Sequence, residues 1–213
     1  MPRASSVAVI GSILALTLAF PSLPAFAANS LAANPASPAE SGTELVAANP
    51  GGTSTLVAVI NYENVAGRML RDRLVAFGRD NPDIKVVIRP VPGGGPLAEF
   101  LAKAAYAAAQ QGRFAAFHDA ALTSPQAHTW YSLRDNAPLL GLDWPRFQQD
   151  FQNPKTAEAV QANVKFAEEM KITSPPAVVT AGRVFTGPWE KLNFTEVAAA
   201  ARANGAVHAV GAK

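Results

Sequence analysis

Two apolar runs with a helix-period stretch between them dominate the first half of the chain. "TLVAVI", Thr55–Ile60, is continuously apolar, the pattern of a strand covered on both faces. From Val65 to Gly78 the period changes. Val65, Met69, Leu70, Leu74 and Phe77 fall close to one face of a helix, with the arginines and Asp72 mostly off it. Asn64, immediately before, is a favoured N-cap. "DNPD", Asp80–Asp83, is a turn. Ile84–Val91 returns to the β pattern and is ended by Pro90 and Pro92. The three segments read as a β-α-β unit, whose parallel strands require a right-handed crossover.

A helical block follows. Pro96 suits the first turn of a helix running to about Gln111, and Gly112 stops it. Arg113–Leu122 is a second helix and "SPQAHTWY" a loop, with short helices at Arg134–Gly141 and Asp143–Phe151. Lys155–Lys171 is amphipathic, with Ala157, Val160, Val164 and Ala167 on one face. "PAVVTAGRVF" reads as a hairpin turning at Ala-Gly-Arg. "NFTE", Asn193–Glu196, is capping-box-like and starts a helix ending at Asn204-Gly205, with residues 206–213 as a tail. The element order is β-α-β, helical block, β-β, α.

The N-terminal 53 residues lack this patterning. Arg3, the apolar stretch Val7–Phe20 and the Ala25-Phe26-Ala27 triplet form a secretory signal pattern, so cleavage is expected after Ala27. The apolar stretch is shorter than the ~20 residues a membrane span needs, and Pro21 and Pro24 break it. No stable membrane anchor is therefore expected after cleavage. Residues 28–53 are rich in Pro, Ala, Gly and Ser and read as a flexible linker, with a short helix at Thr43–Ala48 as the one structured alternative. The domain is expected to begin at about Ser54 and to run to 205.

Composition narrows the function. The chain has 213 residues, 49% hydrophobic and 16% charged, and a net charge of +2. That charge, without a basic stripe, argues against nucleic acid. There is no cysteine, which removes disulfides, thiolate metal sites and thiol catalysis together.

The residues nonetheless resemble a thiol family. "INYENVAGR" resembles the strand-then-motif segment of the DsbA-like branch of the thioredoxin superfamily, in which a Tyr precedes a Cys-x-x-Cys turn and a basic residue follows it. "AAYAAAQQGRFAAFHDAAL" resembles that family's helix pair. "LGLDWPRFQQDFQNPKTAEAVQANVKFAEEMKITSPPAVVTAGRVFTG" resembles its last helices, cis-proline loop and hairpin. The resemblance covers roughly Thr55 to Ala203. It implies an α/β, thioredoxin-like fold with an inserted helical domain at about 96–171. At the site the chain departs from the pattern. Asn64 stands where the attacking cysteine would be and Gly67 where the second would be, with Val65 and Ala66 between them. A helix N-terminus lowers a thiol's pKa, and exchange needs that thiolate and a second thiol to resolve the mixed disulfide. Asn64 and Gly67 supply neither.

Two readings stand for Asn64. It caps the helix, or its amide and the nearby N–H groups hold an anion or other ligand. Ser174-Pro175-Pro176-Ala177 resembles the family's cis-proline loop, with Pro176 in the cis position. The resemblance implies that the backbone before this proline pairs with extended peptides, which is strand addition and needs no thiol. Pro175 could offer its carbonyl but has no N–H to donate. Tyr62 and Glu63 flank the turn, and Glu63 is a candidate solitary base or a solvated strand-end residue. His118 reads as core, His128 as a loop residue and His208 as part of the tail, with no metal-ligand spacing among them. "PGGGP", Pro92–Pro96, lacks the ending of a phosphate loop and reads as a flexible turn. "NFT" matches a glycosylation sequon and is better explained as a helix cap.

The expectation is a periplasmic, redox-inactive thioredoxin-fold protein with no cofactor and no metal. It binds an extended peptide or envelope protein between the Asn64 turn and the Pro176 loop. The alternatives are non-thiol chemistry or a small anionic ligand at the helix N-terminus, and a structural subunit of an envelope complex.

Overall fold

The computed structural model describes residues 44–93, 95–123 and 129–210, the last seven of these by backbone alone. The expected signal segment at residues 1–27, its cleavage after Ala27, and His128 lie outside the described residues. Five strands and seven helices follow in the order β1 (Leu45–Ala48), β2 (Ser54–Ile60), α1 (Val65–Asp80), β3 (Ile84–Pro90), α2 (Pro96–Ala109), α3 (Phe114–Thr123), α4 (Trp130–Asn136), α5 (Trp144–Gln152), α6 (Pro154–Glu169), β4 (Ala177–Thr180), β5 (Arg183–Thr186) and α7 (Phe194–Val210).

The strands form one sheet in the order β1-β3-β2-β4-β5. β2 and β3 are parallel, from Ser54 opposite Ile84 to Ile60 opposite Pro90. β4 runs antiparallel to β2, with Ala177 opposite Val59, so its first residue lies beside the last residues of β2. The helical block α2–α6 falls between β3 and β4. Leu56, Ile60, Leu70, Leu74, Ile84, Ile88 and Leu101 are fully buried in the main core. A smaller cluster of Val59, Val91, Ala167 and Val179 packs the end of α6 onto the sheet.

Several expectations are corrected. The reading of 28–53 as a linker does not hold for its last residues. Leu45–Ala48 is neither linker nor helix but an edge strand, antiparallel to β3, with Leu45 and Ala47 buried. Four residues carry too little periodicity to announce a strand, and the open edge of β3 supplies the order. Asn49 then folds back with φ 53° and donates to the carbonyls of Gly78, Asn81 and Ile84 at 2.8, 2.9 and 3.0 Å. The Gly78 carbonyl lies in the last turn of α1, where carbonyls lack intrahelical partners. Gly78 permits the close pass, because a Cβ there would lie 2.9 Å from that of Ala48.

The faces of two helices also differ. Leu70, Leu74 and Phe77 of α1 are buried, but Val65 and Met69 are 65% and 41% exposed. On α6 the buried row is Thr156, Val160, Asn163 and Ala167, and Ala157 is exposed. Asn163 is accommodated by bonds to the Pro90 carbonyl and the Tyr106 hydroxyl, both at 2.9 Å. The short helix expected at Arg134–Gly141 starts at Trp130 instead, behind a capping box between Thr129 and Ser132. Trp130 is drawn in by an aromatic cluster, 4.8 Å from Trp144 and 5.2 Å from Phe151 between ring centroids. The last helix does not stop at Asn204-Gly205 but continues to Val210, so most of the expected tail, His208 included, is helical. Its Asn193 cap is present, accepting from the Thr195 N–H at 3.0 Å. The hairpin turns on Ala181 and Gly182, with φ 49° and 71° and Thr180 opposite Arg183, the geometry of a two-residue turn that matches strand twist.

Candidate functional site

The end of β2 builds the first wall. Past Ile60 the chain bends at Asn61, whose carbonyl accepts from the Asn64 N–H at 3.1 Å and whose side chain accepts from the Glu63 N–H at 2.9 Å. Asn64 is the N-cap of α1, extended at φ −83° and ψ 122°. Its Oδ1 accepts from the Ala66 N–H at 2.9 Å, and its carbonyl from the Gly67 N–H at 2.9 Å. Val65 points outward, Ala66 is half-buried and Gly67 is buried. A Cβ on Gly67 would meet Leu122 Cδ2 at 3.4 Å and the Asn61 carbonyl at 3.5 Å, so the site holds a small residue with little room beyond it.

The second wall comes from the chain before β4. The Pro175–Pro176 peptide is cis, as is Gly187–Pro188. Pro176 and Ala177 are buried, Pro175 is half-buried and Ser174 is exposed. The antiparallel pairing of Ala177 with Val59 sets this loop against the Asn64 turn. The contact is direct. Asn64 Nδ2 donates to the Pro175 carbonyl at 2.8 Å. The backbone acceptor that the resemblance assigns to a bound peptide is therefore already engaged by the protein itself, although a carbonyl keeps a second lone pair.

Beneath the turn lies a buried polar pair. The Tyr62 hydroxyl and His118 Nδ1 are 3.0 Å apart, with Phe117 edge-on to Tyr62. Burial pushes the His118 pKa down to about 3, helped by the nearby Arg71 charge, so the imidazole is neutral near pH 7. The imidazole tautomer sets which of the two donates, and burial holds the phenol pKa well above the usual tyrosine value. Both groups are shut away from solvent. They brace the turn and do not line it. Glu63, by contrast, is exposed and lies over Gly95, the N-cap residue of α2 that has no side-chain cap of its own. A carboxylate there favours the positive end of the helix.

Beside the Asn64–Pro175 bridge opens a cleft of about 360 Å³, between the end of β3, the end of α6 and the chain from Ile172 to Pro175. Asn64, Ser174 and Pro175 line it, but so do Asn61, Gly93 and Glu168, none of which the sequence singled out as functional. Gly93 carries one local signal. A Cβ there would fall 1.5 Å from Asn61 Nδ2, so what read as a flexible turn is a close approach that only glycine permits. Glu168 sits on an exposed helix position and has no sequence signature. Among the described residues, no group of three or more His, Cys, Asp or Glu side chains converges as a metal site would.

The overall fold recurs in solved structures. A thioredoxin-like oxidoreductase from Silicibacter pomeroyi DSS-3 superposes with a TM-score of 0.65 at 24% identity, covering 87% of this chain and 99% of that one. This chain has the thioredoxin-like fold. A periplasmic thioredoxin-like protein from Salmonella enterica serovar Typhimurium matches with a TM-score of 0.62 at 18% identity, over 79% of this chain and 94% of its own. The catalytic domain of Proteus mirabilis ScsC matches at 0.64 and 15% identity, over 79% and 93%. At these identities the likeness is one of fold, and it is the expected DsbA-like arrangement with the cysteines missing. No family model matches the chain. Among curated proteins, the Na(+)/H(+) antiporter NhaA of Herminiimonas arsenicoxydans is 32% identical over 122 residues, 56% of this chain. The chain spans only 19% of that antiporter's length. Among the described residues, no helix is long and apolar enough to cross a membrane.

Proposed function

We propose that the protein is a periplasmic, redox-silent thioredoxin-fold protein, exported by cleavage after Ala27, that binds an extended peptide or a partner protein without catalysis. One observation carries the reading. The helix N-terminus and the proline loop are apposed and joined by the Asn64–Pro175 hydrogen bond, yet the positions that the resemblance assigns to thiols are Asn64 and Gly67. A chain with no cysteine has no residue of its own that can open a disulfide. The cleft beside Pro175 supports binding on the α6 side of the bridge, since Asn64 occupies the Pro175 carbonyl and Pro175 has no N–H. The test pairs two measurements on the mature protein. Insulin reduction by a dithiol should proceed at the uncatalysed rate. A photo-crosslinker at exposed Thr173 should capture one stoichiometric partner in cells, and the captured segment should be extended. Catalysed reduction, or a crosslinker that labels only water and lipid, overturns the proposal.

The similarity to part of an antiporter favours a second reading, a structural subunit of an envelope complex. A related sequence in Herminiimonas arsenicoxydans lies within the same chain as a membrane transporter, which suggests a membrane transport protein as the partner. Stoichiometric co-purification with such a protein, independent of the cleft residues, would favour this reading over the first. The third reading, an anion or non-thiol chemistry at the start of α1, has less support. Asn64 itself satisfies the Ala66 and Gly67 N–H groups that an anion would use.

A further inference from the structure

The cleft beside Asn64 is electrically one-sided. Glu168 is the one ionisable side chain on its lining, and no Lys, Arg or His lines it. The Glu168 carboxylate is exposed and has no hydrogen-bond or ion-pair partner among the described residues, whereas its neighbour Glu169 pairs with Lys165 at 4.0 Å. Glu168 also lies in the last turn of α6, which carries no basic residue. The aligned backbone dipoles leave a partial negative charge at a helix C-terminus, so a carboxylate there deepens the negative potential that a nearby cation would relieve. The nearest candidate from the sheet does not do so. Arg89, two residues before Val91, turns its guanidinium onto the Phe166 ring at 4.5 Å and does not line the cleft.

The walls have the complementary character. Val91, Val164 and Ile172 give the lining an apolar part, and Thr173 and Ser174 give it exposed hydroxyl residues. A long side chain with an apolar stem and a cationic head matches this layout, because such side chains lay their methylenes along apolar surface and keep the charge at a polar edge. We propose that the cleft seats a lysine or arginine side chain presented by an extended segment of the partner. The inference rests on the peptide-binding reading above and names the class of peptide. The protein's own N-terminal segment is not the occupant, since residues 28–43 contain neither lysine nor arginine.

The test uses the full mature chain and three otherwise identical peptides, Ala-Ser-Ala-Val-X-Val-Ala-Ser-Ala with blocked ends, where X is lysine, norleucine or glutamate. Binding is read by calorimetry and by shifts of the Val164 and Ile172 methyl resonances. The lysine peptide should bind about fivefold tighter than the norleucine peptide, the size expected of one solvent-accessible ion pair. The advantage should shrink as salt rises from about 50 to about 500 mM. Glu168→Gln should bring the lysine peptide to the norleucine level, and Glu168→Lys should make the glutamate peptide the best of the three. Equal affinity for all three peptides overturns the inference and leaves peptide binding standing. No shift with any peptide at millimolar concentration overturns the inference and the peptide-binding reading together.

Discussion

The side-chain amide of Asn64 donates to the carbonyl of Pro175 at 2.8 Å, joining segments 111 residues apart. The same side chain accepts from the Ala66 N–H and so caps α1. One residue thus caps the start of the helix and ties it to the proline loop, at the position where the sequence resemblance places the attacking cysteine. Loss of both bonds should be measurable. Asn64→Ala should destabilise the protein by about 1–2 kcal/mol, combining a lost cap with a lost hydrogen bond. Asn64→Ser should recover the cap part and not the Pro175 part. Urea unfolding of the three proteins checks this, and equal stability of the alanine and serine variants would show that the cap contributes nothing.

The scaffold for thiol chemistry should survive without the thiols. In the double variant Asn64→Cys, Gly67→Cys, the thiol at position 64 should titrate below the ~8.5 of a free cysteine, because the N-terminus of α1 stabilises the thiolate. A Cβ at position 67 finds its nearest neighbours at 3.4 and 3.5 Å, so the second thiol fits with a small shift of Leu122. The pair should oxidise in mild glutathione and show weak dithiol oxidation. Absorbance of the thiolate and quantification of free thiols read both outcomes. A thiol that titrates at the free value would place the field of α1 elsewhere.

Stability should fall in acid through His118. Its folded pKa of about 3 lies below the usual 6.5, so between these values the unfolded chain binds a proton that the folded protein does not. Stability from this group is present above about pH 6.5 and is lost progressively as pH falls toward 3. His118→Gln, which can still hydrogen-bond to Tyr62, should flatten that part of the pH dependence of the melting temperature. Parallel curves for wild type and variant would mean that His118 is protonated in the folded state.

Gly93 and Asn61 should behave as a coupled pair. Gly93→Ala places a methyl where the Asn61 amide lies, 1.5 Å from its nitrogen, and should cost about 1–3 kcal/mol by overpacking. Adding Asn61→Ala removes the obstacle, so the double variant should be more stable than Gly93→Ala alone, with a coupling of about 1 kcal/mol. Strict additivity in chemical denaturation would show that the loop simply moves aside.

The chain's own order of residues was enough for the β2-α1-β3 unit, the helical block, the hairpin and the Asn64 cap. Each rests on contacts within a few residues: an apolar run, a period, a capping side chain, a turn that tolerates positive φ. It was also enough for the missing thiols, since a residue type that is absent is absent in any fold. Other features depended on partners distant in sequence. Leu45–Ala48 becomes a strand because β3 offers an unpaired edge, and Asn49 matters because the carbonyls around the end of α1 lie within its reach. Trp130 starts a helix because Trp144 and Phe151 bury it. The Asn64–Pro175 bond and the cleft with its lone Glu168 arise from β4 folding back against β2, a pairing between residues more than a hundred positions apart. Local pattern reports which face of an element is apolar. Only the packed chain decides which surfaces meet, and the site lies where they meet.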